Sequence, residues 1–166
     1  MLMRAQTALR LADPLLPLGR HVPFVLQRLA IERAVARIFA QPIGEGEFDV
    51  LCGRWLRLEV EDLGLAWNIT RAEGGLRLAR QAQADVVIRG VWRDFLLLAS
   101  RQEDPDTLFF RRRLVIEGDT DLGLAIKNLI DSLDPDTLPP RLWQMIRWLG
   151  AAAAETDGLM SVKAGR

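Results

Sequence analysis

Residues 55–70 read WLRLEVEDLGLAWNIT. Leu56, Leu58 and Val60 alternate with Arg57, Glu59 and Glu61, and beyond a short break containing Gly64 the alternation resumes with Leu65, Trp67 and Ile69. A period of two places each apolar set on one side of a pleated strand. The spacing therefore predicts two half-buried strands joined as a hairpin. Working toward the C-terminus, Gly74 and Gly75 turn the chain into a weaker strand over 76–80, and residues 85–89 supply a fourth. Four consecutive strands imply a largely antiparallel meander, and residues 113–117, RLVIE, add a fifth.

Around this sheet the period changes to that of helices. On the N-terminal side, VLQRLAIERAVARIFA predicts a helix with Val25, Leu29, Ala36 and Phe39 near one face, ended by Pro42 and Gly44. A further helical turn is expected over 48–51. On the C-terminal side, residues 93–100 read as a helix whose Phe95, Leu96, Leu97 and Leu98 are too apolar to lie exposed. Residues 108–110 form an apolar cluster. Asp119 and Thr120 suit the cap of a helix over 121–133, in which Leu122, Ala125, Ile126, Leu129, Ile130 and Leu133 make a broad stripe. Pro135, Pro139 and Pro140 set off a last helix from Arg141 to about Ala154, with Leu142, Met145, Ile146 and Leu149 on one face, Trp143 and Trp148 flanking it, and a frayed tail beyond. The expected class is α+β: a largely antiparallel five-stranded twisted sheet with helices packed on one face.

The 166 residues fit one domain, at 49% hydrophobic and 27% charged. We divide them into an N-terminal appendage at 1–23, a domain at 24–134, and a C-terminal helix with its tail at 135–166. Lys plus Arg equal Asp plus Glu at 22 each, so no overall positive field points to nucleic acid. Locally, residues 1–40 carry Arg4, Arg10, Arg20, Arg28, Arg33 and Arg37 against Asp13 and Glu32, which suits either an anionic membrane surface or an ordinary solvated helix face. The charged residues near the start interrupt any secretory signal, and no stretch has the roughly 18 apolar residues of a membrane span. A cytoplasmic location is expected, with any membrane contact peripheral at the inner face.

Catalytic chemistry finds little footing. Cys52 and His21 are the sole residues of their types, which excludes an internal disulfide and a Cys/His zinc cluster. His21 has no Ser or Cys motif to serve, and Cys52 reads as a small buried hydrophobe. Glu117, Asp119 and Asp121 form the one carboxylate cluster, but capping and the helix dipole explain the two aspartates. We expect no catalytic residue, metal or cofactor.

The stretch ADVVIRGVWRDFLLLASRQEDPDTLFFRRRLVIEGDTDLGLAIKNLIDSL, residues 84–133, resembles sterol carrier protein domains. FLLLAS at 95–100, DPDTLF at 104–109 and RLVIEGD at 113–119 match, in order, that family's short helix, turn, and strand leading into a lipid-covering helix. The run FFRRRLVIEGDTDLGLAIKNLIDSLD and the extra N-terminal helix are similar to the bacterial UbiT-like branch, accessory factors of ubiquinone biosynthesis, particularly the oxygen-independent route. The resemblance covers residues 24–134 and departs at Arg113, where many members carry Gly.

The resemblance implies an elongated apolar cavity between sheet and helices, and a non-catalytic protein that holds a polyprenyl quinone precursor or a phospholipid and presents it to ubiquinone-biosynthesis enzymes. Candidate lipid-binding residues are Trp67, Ile69, Phe95, Leu98, Phe109, Phe110, Leu122, Ile126, Leu129 and Ile130, each of which also suits a plain core. Because a bilayer is as apolar as any cavity, the tail adds little to net extraction, and polar contacts at the mouth and a membrane dock must set selectivity. The basic N-terminal helix and the Trp143/Trp148 helix are the candidate docks, with packing on the sheet or on a second subunit as the alternative for each. Two other functions stay open: a ligand-free scaffold for partner enzymes, and an enzyme acting on a lipid.

Overall fold

Two hairpin-linked strands, β1 (Leu56–Val60) and β2 (Leu65–Ala72), form where the alternation predicts them, and their register sets Leu58 opposite Trp67. A tight turn at Glu61–Leu63 joins them, closed by Gly64 at φ 63°, a left-handed conformation that glycine adopts without a Cβ clash. β3 (Gly75–Ala79) continues the meander antiparallel to β2. The structure, a computed structural model, describes Thr7, Leu9 and residues 13–164.

β4 (Val86–Gly90) departs from the expected meander. It crosses to the far side of β1 and pairs with it in parallel, Leu58 opposite Ile88, and β5 (Val115–Gly118) then pairs antiparallel with β4. The order is β3-β2-β1-β4-β5, mixed but mostly antiparallel. The crossover is anchored by Asp85, whose carboxylate accepts from Trp55 N–H at 2.7 Å and whose carbonyl accepts from Asp119 N–H at 2.8 Å. Gly118 makes that second approach feasible, since a Cβ there would lie 2.4 Å from Asp85 O.

On the outward face, Arg57, Glu59, Arg89 and Glu117 form a chain of ion pairs across β1, β4 and β5. The inward face is apolar and carries the helices. α1 (Phe24–Ile38) runs along β3; the short α2 (Ala40–Gly44) follows. α3 (Trp92–Ala99), α4 (Pro105–Phe110), α5 (Thr120–Ser132) and α6 (Pro140–Ala164) complete the layer, the last extending past the expected end near Ala154.

Caps fix these helices. Asp104 accepts from Thr107 N–H at 2.8 Å to start α4, and Asp119 accepts from Leu122 N–H at 2.9 Å to start α5. The Asp104 carboxyl is held below its usual range, chiefly by the Thr107 hydroxyl and then by the Thr107 N–H. Arg113, where the family pattern has Gly, ion-pairs with Asp94, a residue only 3% exposed on α3. The tight turn is made one residue earlier, where Arg112 has φ 56°, and Arg113 contributes an ion pair.

Two packing outcomes correct the helix reading. Val25 and Leu29 of α1 are 64% and 39% exposed, and Ala36 is exposed too, because the helix turns Gln27 and Glu32 toward the sheet. Gln27 Oε1 accepts from the Trp67 indole at 3.0 Å, and Glu32 accepts from Leu78 N–H at 2.8 Å on the otherwise unpaired edge of β3. A buried N–H without a partner costs about 1–3 kcal/mol, so satisfying these two donors fixes which face looks inward. α6 lies on α3, with Leu9, Leu97, Ala152 and Ala153 as its buried contact. Gly150 permits the crossing, for a Cβ there would meet Ser100 Oγ at 1.9 Å. Of the appendage expected at 1–23, a 3-10 helix at Leu16–His21 is formed, while most of residues 1–12 lie outside the described residues.

Candidate functional site

The inward face of the sheet is not filled. Leu56 and Val60 at the ends of β1 are buried, yet Leu58 between them, on an inner strand, remains half-buried, as does Ile69 opposite Leu56. Close-packed cores leave few voids larger than a water molecule. Here Leu58 and Ile69 face a pocket of about 470 Å³, within the range of small-molecule sites.

Every layer of the fold contributes to its wall. The sheet gives Leu56, Leu58, Ile69, Leu76 and Ile88; α3 gives Phe95, Leu98 and Ala99; α5 gives Ile126, Leu129 and Ile130, with Leu133 just past its end. Ile38 and Phe39 close one side with Phe48 and Leu51, and Phe109 and Leu114 another. Leu138, Leu142 and Ile146, from the segment entering α6 and its first turns, complete the enclosure. The charged residues in the wall are Arg101 and Asp134, near the C-terminus of α5. Arg101, at φ 56°, donates through Nη2 to the carbonyls of Ile130 (3.1 Å), Asp131 (3.0 Å) and Leu133 (2.5 Å), while its Nη1 lies 3.5 Å from the Asp131 carboxylate. Three carbonyls that α5 leaves without helical partners are thereby satisfied, and the end of the helix is tied to the segment after α3.

Of the ten candidate lipid contacts, Ile69, Phe95, Leu98, Phe109, Ile126, Leu129 and Ile130 lie on this wall. Three do not. Trp67 points at α1, where its N–H finds Gln27. Leu122, 1% exposed, packs with Val86 and Ile126 in the solid part of the core. Phe110, at the end of α4, is 88% exposed. The wall also includes residues absent from that set, although part of their signal was present: Leu56 and Leu58 by alternation, Leu142 and Ile146 by their helical stripe. Ile38, Phe48 and Leu76 carried none that separates a pocket wall from core.

The catalytic candidates do not converge: His21, Cys52 and the Glu117/Asp119 pair lie on different elements. His21 is exposed at the end of a 3-10 helix. Cys52 is exposed rather than buried, its sulfur 4.0 Å from Asp49 Oδ1. Glu117 pairs with Arg89, and Asp119 caps α5 and pairs with Arg54 at 3.1 Å. Among the described residues no three His, Cys, Asp or Glu side chains gather as metal ligands, and no helix is long and apolar enough to cross a membrane. A second hollow of about 540 Å³ follows the open edge of β5, but Arg112, Glu117, Thr120 and Lys127 make it the more polar of the two.

Comparison with known proteins places this geometry. Residues 31–131 match the model of the SCP-2 sterol transfer family. The ubiquinone biosynthesis accessory factor UbiT of Escherichia coli (strain K12) is 44% identical over 124 residues, which span 75% of this chain and 71% of that protein. The solved structure titled UbiJ-SCP2 Ubiquinone synthesis protein shares the fold with a TM-score of 0.53 at 21% identity, covering 66% of this chain and 97% of that one. An apolar pocket roofed by α5, on a five-stranded sheet, thus coincides with a sequence match over most of the sheet and its helices, and the chain belongs to the SCP-2 sterol transfer family.

Proposed function

We propose that the protein is a non-catalytic accessory factor of ubiquinone biosynthesis, serving the oxygen-independent route. Its pocket holds a polyprenylated quinone precursor or a membrane lipid and presents it to the biosynthetic enzymes, at the cytoplasmic face of the membrane. The observation that carries this reading is the unfilled apolar wall itself. Leu58, Ile69 and Ile130 remain accessible where a ligand-free core would bury them. The resemblance to UbiT supports the pathway. Ile69, Phe95, Leu98, Phe109, Ile126, Leu129 and Ile130 are the guest contacts, and residues 24–134 the lipid-binding domain, to which the arm from Leu138 to Ile146 adds a cover.

An apolar wall gives depth without much selectivity. Each buried methylene is worth about 0.8 kcal/mol against water but almost nothing against a bilayer. Selection therefore falls to the polar end of the pocket, at Arg101 and Asp134. The test is complementation of a bacterium lacking its own relative, grown without oxygen, with ubiquinone measured by extraction. Wild type restores it. Leu58→Trp with Ile130→Trp, which fills the pocket from two half-buried positions, abolishes it while circular dichroism stays native. Full restoration by the filled, guest-free variant sinks the lipid reading and favours a ligand-free scaffold.

A further inference from the structure

We infer that the open edge of β5 is a contact surface for a second copy of this chain, the two β5 strands pairing antiparallel about a two-fold axis so that their sheets join. β5 (Val115–Gly118) ends one side of the sheet, with β4 as its strand neighbour. An open edge presents a row of N–H and C=O groups on which another strand can build, and proteins guard it with lysine, proline, a bulge or a covering helix. The opposite edge is guarded, since α1 runs along β3 and Glu32 takes up Leu78 N–H. β5 carries neither lysine nor proline, and its one charged side chain, Glu117, is drawn back across the sheet by Arg89. The hollow of about 540 Å³ that follows this edge is lined by Leu114, Val115 and Ile116. Leu124, 55% exposed, lines it too, and Phe110, 88% exposed, comes directly after its wall residue Phe109.

The charges along the edge select the partner. Gly123 lies against Ile116, where a Cβ would come within 2.7 Å of Cγ2, so Leu124 is level with the middle of β5. Arg112 stands at the start of the strand with Lys127, which is paired with Asp106 of α4; Glu117 and Asp121 stand at its end. Arg112 and Asp121 are exposed, and neither is held in an ion pair among the described residues. A two-fold axis through the middle of β5 lays the start of one strand against the end of the other. The cationic end of each copy then meets the acidic end of the other, twice over, and Leu124 meets Leu124. An edge that is positive at one end and negative at the other is thus complementary to itself, as a two-fold interface requires. The pairing also reaches the lipid pocket, whose wall shares Phe109 and Leu114 with the hollow, so the second copy backs that wall.

The test is sedimentation equilibrium of the full chain across the micromolar range. Wild type forms a reversible dimer. Leu124→Glu alters both copies at once and raises the dissociation constant about a hundredfold or more, and because the side chain is exposed the variant keeps its native circular dichroism. Arg112→Glu and Asp121→Lys, each alone, bring like charges together at both ends of the interface and weaken self-association roughly tenfold. Mixed in equal amounts, the two variants pair with each other nearly as tightly as wild type, because each offers the other an opposite charge; damage to the fold of either would give no such recovery. A wild type that stays monomeric overturns the inference and leaves the edge to a strand from another protein. So does a dimer that Leu124→Glu leaves at wild-type strength, or one that Leu26→Glu on α1 abolishes instead. Failure of the mixed variants to recover their pairing refutes the antiparallel two-fold arrangement.

Discussion

Removing the guest should cost the protein measurable stability, and the pocket sets the scale. An apolar void left inside a protein costs about 24 cal/mol per Å³, so 470 Å³ held empty and sealed would cost about 11 kcal/mol. That ceiling equals the whole stability of an ordinary domain, about 5–15 kcal/mol. The empty protein must partly collapse or admit water, which lowers the cost without removing it. What a thermal scan reads is the guest's linkage to the folded state, about 2.7 kcal/mol at a hundredfold excess over Kd. With roughly 2–4 °C per kcal/mol for a domain of this size, delipidation should lower Tm by about 5–11 °C. Differential scanning calorimetry of the protein as purified, after delipidation, and after the extracted lipid is returned measures this directly. A Tm indifferent to delipidation and to refilling would refute the reasoning, since an occupied pocket cannot be thermodynamically silent.

Three further outcomes follow from named contacts. Arg113→Ala removes a cation paired with the buried Asp94 carboxylate and should cost about 3 kcal/mol in urea unfolding; a loss near zero would mean that the pair adds nothing to stability. Gly150→Ala drives a methyl into Ser100 Oγ, and we expect a loss of about 1–3 kcal/mol, partly recovered by adding Ser100→Gly, with additive effects of the two changes counting against the helix crossing described. Asp104→Ala removes the cap of α4 and lowers stability near neutral pH, read as a lower urea midpoint. Because the folded carboxyl titrates below its usual value of 3.8, the cap's contribution is present above that value and fades as pH falls through the lower folded pKa, so the gap between wild type and variant should close in acid and not in base.

The strands were legible in sequence because alternation reports directly on burial, and the cap of α5 because Asp119 sits at a strand-to-helix junction; the cap of α4 was not, since Asp104-Pro-Asp reads as a turn and six residues are too few to show a helical period. Sheet order was less so. A period of two says which side chains share a face but not which strand lies alongside, and the parallel pairing of β4 with β1 depends on contacts 30 residues apart. One hint was available: Val86, Val87 and Ile88 are apolar on both faces, as suits an inner strand. For α1 the apolar stripe pointed the wrong way, since hydrophobicity was outweighed by two polar side chains with partners on the sheet. The pocket wall was only half legible. Leu122 and Ile126 stand one turn apart on α5 with the same chemistry, yet Ile126 borders the void and Leu122 does not. That difference comes from where the facing elements stop short, which no residue encodes by itself.

The lipid carried by freshly isolated protein is the decisive observation. Native mass spectrometry followed by organic extraction should show a hydrophobic small molecule bound stoichiometrically to the chain, absent from the Leu58→Trp, Ile130→Trp variant. A wild-type chain that flies at its bare mass from repeated gentle preparations, with nothing in the extract, would contradict the account.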